Sequence, residues 1–404
     1  MARLLPGAEV VCEDAVEAGD LGQIIRFPGL STLRVVGVAG AELDATLKAF
    51  GHALREDRFM RVLRLSILSH SPVYEVAIAA GLKENRTLRE LTLFRATNHG
   101  AAALGATLQT NRTLKRLTLD DSHIGPDGAG PLALGLRANH CLEQLSLANS
   151  PGCGSATAIF LANALAVNTT LRELDLSMCE VDEDGVQALA NVLATENNAL
   201  KQLGLNACVA GDIGGDALGF MLRNNVCLTS LDVNNASFTQ RGIRALAEGL
   251  AVNTALIELD LSSNSLRNDG AAALAEALAQ NATLTDLRIE DCSVRHRGIN
   301  ALSEALAINK SLKSLNLNHN DRIEDSGALA VAHALKSNVA LTNLALVGCE
   351  ISKDGANQFA KSLARNVTLK RLNISENHLN RTSGKALLAV AKQKRRDGFL
   401  LIGL

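Results

Sequence analysis

The stretch LIELDLSSNSLRNDGAAALAEALAQN, Leu256 to Asn281, decides how this chain folds. It opens with leucine at its first, fourth and sixth positions, and Leu259 and Leu261 alternate with polar residues in the period-two rhythm of a strand. Past Asn264 the rhythm lengthens. Leu274 and Leu278 lie four apart, on one face of a helix. Strand, turn and helix thus follow one another within a single short unit.

The unit recurs. The pattern L-x-x-L-x-L or a close variant begins at Leu30, Met60, Leu88, Leu114, Leu142, Leu171, Leu200, Leu228, Leu256, Leu284, Leu312, Leu341, Leu369 and Phe399, mostly 28 or 29 residues apart. One unit cannot bury both its strand and its helix, so the units stack side by side. Strands stack at about 4.8 Å and helices at about 8–10 Å, so the stack has to bend with its sheet inside. The predicted architecture is an α/β curved solenoid, a horseshoe of about 14 strands, with a parallel sheet on the concave face and helices on the convex face. Residues 1–29 fit no repeat and are read as an N-terminal helical cap, with residues 30–404 as the solenoid. Residues 66–78 are the least regular insert.

Composition agrees. The chain has no Trp, one Tyr and nine Phe among 404 residues, too few aromatics for one large globular core and well suited to leucine- and alanine-faced helices. Its 40 basic and 42 acidic residues nearly cancel, so no overall field draws it to nucleic acid or an anionic membrane. The N-terminal text MARLLPGAEVVCEDAVEAG has no apolar run of the secretory kind, and no stretch is apolar enough to span a bilayer. The expectation is a soluble, cytoplasmic protein with reduced cysteines.

These repeats resemble the leucine-rich repeats of the ribonuclease-inhibitor type, found also in NOD-like receptors and in Ran GTPase-activating protein. The likeness covers residues 30–404 and rests on the period, on helix text of the form GxxALAxAL, and on the residue three past each strand. That position alternates through Asn264, Cys292, Asn320, Cys349 and Asn377, whereas earlier units carry Ala96, Ser122, Ser150 and Ala236. The implied function is a non-enzymatic scaffold that binds a partner protein through the concave face and adjoining loops. Two alternatives stay open: a regulator of a small Ran-like GTPase, and a structural component of a large cytoskeletal or ribonucleoprotein assembly. No G-x-x-x-x-G-K-[ST] occurs, so the nucleotide module of NOD-like receptors is not expected here.

The text LDLSMCEVDEDG, Leu174 to Gly185, sets a thiol beside a run of acids and invites a metal or redox reading. Cys179, Cys208, Cys292 and Cys349 are whole repeats apart, however, and so share one structural place. That place is expected to be a buried turn which Asn or Cys can fill. A calcium loop starting at Asp182 needs Gly and Glu where the chain has Gln187 and Leu193. Acids before the helices, as in NDG from Asn268 and KDG from Lys353, are read as caps. The N-x-[ST] matches, including Asn85, Asn111, Asn168, Asn281 and Asn366, are read as helix-ending residues in the left-handed region rather than glycan sites.

The candidate binding residues are the strand side chains that alternate away from the leucines: Glu173, Asp175, Asp232, Glu258, Asp260, Asp286, Glu290 and Asp291, with Arg288 the one base. Arg64, Arg95 and Arg116 flank this acidic stripe near one end and Arg371 near the other. It would steer a protein partner with a basic surface, or else Asp is simply common at that place in the repeat. Asp232 and Asp260 fall close enough for acid–base chemistry, but an open sheet excludes little water and no His lies beside them, so no enzyme is expected. Phe94, Met178 and His319 are the only large anchors near that face. Cofactors, metals, a small-molecule substrate, a membrane and nucleic acid are not expected; a place in a larger complex is left open. Lys392, Lys394, Arg395 and Arg396, at the end of the last helix, are read as a solvated helix terminus.

Overall fold

The computed structural model describes residues 8–12, 30–38, 43–67, 73–394 and 398–403. Two compact units divide the chain, Met1–Leu205 and Asn206–Leu404. In the first, strands β1 (Ala8–Cys12), β2 (Leu30–Val38), β3 (Val62–Ile67), β4 (Glu90–Phe94), β5 (Arg116–Thr118), β6 (Gln144–Ser146), β7 (Glu173–Asp175) and β8 (Gln202–Gly204) lie parallel in chain order. Helices α1 (Leu43–Glu56), α2 (Val73–Glu84), α3 (Asn98–Leu108), α4 (Pro126–Ala138), α5 (Ser155–Leu165) and α6 (Glu183–Thr195) connect them.

The second unit repeats the scheme. Its strands are β9 (Ser230–Asp232), β10 (Glu258–Asp260), β11 (Asp286–Arg288), β12 (Ser314–Asn316), β13 (Asn343–Ala345), β14 (Arg371–Asn373) and β15 (Leu400–Ile402), again parallel and in order. Its helices are α7 (Gly211–Asn224), α8 (Gln240–Val252), α9 (Arg267–Gln280), α10 (His296–Ile308), α11 (Glu324–Ala334), α12 (Lys353–Leu363) and α13 (Arg381–Lys394). Strands β2 to β15 fall on the fourteen copies of the leucine motif. Each unit is thus an α/β leucine-rich-repeat solenoid. Strand β1, inside the segment read as a helical cap, adds to the sheet beside β2; the rest of residues 1–29, and 68–72 of the irregular insert, lie outside the described residues.

Register keeps the leucines in file. Leu231, Leu259, Leu287, Leu315, Leu344 and Leu372 are direct partners across successive strands, all nearly inaccessible to solvent. A one-residue slip would turn that file to solvent, so burial itself sets the pairing. The helices approach closely where glycine permits: a Cβ on Gly249 in α8 would sit 2.2 Å from the Gly219 carbonyl oxygen of α7.

Asparagine closes the repeats from Asn85 to Asn366. The side-chain amides of Asn111, Asn139, Asn168 and Asn197 donate to the carbonyls of Leu82, Leu108, Leu136 and Leu165, one repeat back, at 2.7–2.8 Å. Asn253, Asn281, Asn309, Asn338 and Asn366 do the same in the second unit, while each side-chain oxygen accepts from the amides two and three residues on. This corrects the left-handed reading of these residues. Asn139, Asn253, Asn281 and Asn309 are extended, with φ between −66° and −87°, because an extended residue aims its amide along the stack. Left-handed backbone occurs instead in the turn after the strand, at Arg95, Asp121, Asn149, Met178, Asn235, Ser263, Asp291 and His319.

Lys394 ends the ladder in asparagine's place. Its ammonium donates to the carbonyls of Leu363 and Asn366 and lies 5.3 Å from the ring centre of Phe399. The helix terminus read as solvated therefore has one of its cations docked on the preceding repeat. Arg395 and Arg396 lie outside the described residues.

Candidate functional site

Glu173 and Asp175 lie on β7 of the first unit, with Asp232, Glu258, Asp260, Asp286, Arg288, Glu290 and Asp291 in the second. On the sheet of the second unit Asp232 faces Asp260, Glu258 faces Asp286, and Asp260 faces Arg288. Like charges directly opposite one another disfavour a sheet. Arg288 relieves part of this, reaching Asp260 at 3.7 Å and Asp286 at 3.4 Å. The stripe is consequently less negative than a count of its acids suggests.

Each strand-end aspartate also has local work. Asp175, Asp232 and Asp260 accept from the amides of Ser177, Asn234 and Ser262, two residues ahead, at 2.9–3.0 Å. Asn316 and Asn373 do the same in later repeats. The turn therefore needs an acceptor at this place and not a charge. Glu290 accepts from the Asn316 side chain at 2.8 Å and lies 3.9 Å from His319. Asp291 occupies the left-handed turn and is exposed, off the strand row.

One carboxylate on this face was not singled out from the sequence. Asp120 accepts from the Ser146 hydroxyl and, at 3.0 Å, from the Ala148 amide. Burial pushes its pKa up, and Asp175 and Asp121 add to the rise. Its position carries Ser177 and Ser262 in other repeats, so only comparison of equivalent places would have flagged an acid there.

The thiols take structural places. Cys179, Cys292 and Cys349 are buried, and each Sγ lies 3.2–3.3 Å from the carbonyl oxygen of a leucine or its equivalent one repeat back, Leu147, Leu261 and Leu317. Burial pushes the thiols of Cys292 and Cys349 up to about 12. Cys179 is held lower, chiefly by its hydrogen bond with Cys153, a neighbour the repeat spacing did not suggest. Of the acids before the helices, Asp182 is a cap: it accepts from the amides of Asp184 and Gly185, and the Ser155 hydroxyl above all holds its carboxyl below the usual range. Asp269 and Asp354, of the NDG and KDG texts, instead lie within the first turn of helices whose N-cap residues, Leu266 and Ser352, supply no side-chain bond. Among the described residues no group of three or more His, Cys, Asp or Glu could hold a metal ion, and no helix is long and apolar enough to cross a membrane.

A parallel sheet bare on one side and backed by helices, built from a leucine motif repeated at 28–29 residues, defines a repeat scaffold of the kind that binds other proteins along an extended surface. The leucine-rich repeat family matches at residues 110–133, 167–190, 252–275, 309–332 and 365–388. The chain is a leucine-rich-repeat protein, with repeats of the type carried by NOD-like receptors. It is 32% identical to human NACHT, LRR and PYD domains-containing protein 5 over 132 residues, a third of this chain and 11% of that protein. It is 38% identical to human NACHT, LRR and PYD domains-containing protein 12 over 90 residues, 22% of this chain and 8% of that protein. The matched segment thus spans about a tenth of these relatives. Two solved structures share the fold: Rad7, from the yeast Rad7 and Elc1 complex, at TM-score 0.55 and 17% identity over 96% of this chain and 89% of that one, and an internalin from Listeria monocytogenes at TM-score 0.52 and 16% identity over 96% and 94%.

Proposed function

We infer that this protein is a non-enzymatic scaffold whose solvent-facing strand surface captures a partner protein with a basic patch. The carrying observation is the register of Asp232 opposite Asp260 and Glu258 opposite Asp286, which gathers four carboxylates on three neighbouring strands against the single Arg288. Such a surface attracts cations at a distance and sets the orientation of the encounter more than the final affinity. The chain's near-neutral balance makes this a local property. The bare strand face offers few aromatic anchors, so contact would be extended and polar. The yeast Rad7 and Elc1 complex, a leucine-rich-repeat fold bound to a second protein, supports the general reading.

The test keeps the turn and removes the charge. Asp232→Asn and Asp260→Asn retain the acceptor that Asn234 and Ser262 use, as Asn316 does naturally. Partners captured from native extract by the wild type are expected to be lost from the double variant, with thermal stability unchanged. Undiminished capture by a correctly folded double variant overturns the reading, as does stimulation of a small GTPase by the purified chain.

A further inference from the structure

The sheet of the first unit carries a second charged feature of the opposite sign. A cavity of about 610 Å³ lies over β2 to β5, lined by Arg34, Arg64, Arg95 and Arg116 with Glu90 and Asp121 as its carboxylates. Arg34 and Arg64 are direct partners across β2 and β3. Two guanidinium groups placed opposite each other repel, and folding gains nothing from the pairing. Both are exposed, and neither Arg34 nor Arg95 makes an ion pair among the described residues. Glu90, one strand beyond Arg64, is shared: it lies 3.9 Å from Arg64 and 2.8 Å from Arg116.

We propose that this arginine cleft binds an extended anionic peptide segment of a partner, one carrying phosphate or carboxylate groups about four residues apart. The argument is one of spacing and charge order. Guanidinium forks match the paired oxygens of phosphate and carboxylate. Arg64 stands in register with Thr92 and Thr118, and Arg116 with Glu90, so the two arginines are two strands and two residues apart, hence about 12 Å. That is too far for one phosphate and close to the span of four extended residues, whose first and last side chains share a face. Glu90, on the intervening strand, reaches toward both arginines. A ligand must therefore place its charges at the ends of that span and be neutral in the middle. A peptide can do so, whereas a nucleic-acid strand carries a charge at every nucleotide and would meet Glu90. Phe94 is the one aromatic side chain in the lining, which gives stacked bases little support. Arg34, in register with Arg64, doubles the positive charge at one end. This site is independent of the acidic row of the second unit.

The experiment uses the full chain and three fluorescein-labelled probes: a dodecapeptide with phosphoserine at two positions four apart, the same peptide unphosphorylated, and oligothymidylate of twelve nucleotides. Fluorescence anisotropy is expected to show saturable binding of the phosphopeptide that weakens as salt rises. Arg34→Gln and Arg64→Gln together are expected to weaken it by at least about tenfold, the loss of two charge-assisted contacts. Arg371→Gln in the second unit is expected to leave it unchanged. Because Arg34 faces a like charge, Arg34→Gln alone is expected to hold or raise the Tm. No saturation, equal binding of the unphosphorylated probe, equal or tighter binding of oligothymidylate, or unweakened binding by the double variant each overturns the proposal.

Discussion

The side-chain amide of Asn281 donates to the backbone carbonyl of Leu250, 2.8 Å away and one repeat earlier in the chain. The same amide reaches the Asn253 carbonyl at 3.0 Å, and its oxygen accepts from Thr283 and Leu284. One buried side chain thus satisfies four backbone groups at the join between repeats. Asn281→Ala leaves these groups buried and unpartnered, at about 1–3 kcal/mol for such a group, and urea unfolding is expected to register a loss of that order. The same change at exposed Asn191, within helix α6, is expected to cost much less. Equal losses at the two positions would remove the ladder from the account.

Buried asparagine has a second consequence. The Nδ2 of Asn85, Asn111, Asn168, Asn281 and Asn366 is committed to a backbone carbonyl inside the stack. These sequons are expected to stay unmodified even when the folded chain is presented to an oligosaccharyltransferase. Mass spectrometry showing glycans on them in folded protein contradicts the ladder.

Gly249→Ala tests helix approach. In a solvent-exposed helix the change gains up to about 1 kcal/mol. Here the added Cβ meets the Gly219 oxygen at 2.2 Å, backbone that cannot swing aside. The variant is expected to lose about 1–3 kcal/mol, as overpacked sites do, in calorimetry or denaturant titration.

Glu75 supplies a pH dependence. It is fully buried, and burial is the main cause that holds its pKa above 4.5, against hydrogen bonds from Thr97 that lower it. The folded state therefore retains a proton that the unfolded chain releases. Stability owed to that proton is fully present below the unfolded value and declines as pH rises through the raised folded value. The difference in unfolding free energy between wild type and Glu75→Gln is expected to fall as pH climbs from about 4.5 and then level off. A difference that rises with pH gives the opposite sign and rejects the assignment.

Thiol reactivity should sort by depth. Cys292 and Cys349 are buried with pKa pushed up to about 12, so thiolate is scarce at pH 8. Cys141 and Cys227 are only partly covered. An alkylating reagent is expected to label the latter pair in the folded chain and the former pair only on unfolding, as peptide mapping would show.

Period and residue type alone determined the repeat, the parallel strand order and the burial of Leu259, Leu287 and Cys292. These follow from local rhythm: a face that must be apolar every 28 or 29 residues shows itself in the text wherever it recurs. The places of Glu173, Asp175, Asp232, Glu258, Asp260 and Asp286 on strands were equally legible, because strand alternation is a period-two rule, whereas Glu290 and Asp291 fall beyond the end of β11. Which charges meet was not. Glu90 reaching both Arg64 and Arg116, Arg288 drawing on Asp260, Cys153 beside Cys179, and the Lys394 ammonium in asparagine's role all join residues at least a strand or a repeat apart. Long side chains choose partners by distance and solvent cover, and only the folded stack sets those. Asn281 shows the division within one residue: its sequence position marked the end of a helix, but the direction of its amide, along the stack, came from a carbonyl that the neighbouring repeat brings within reach.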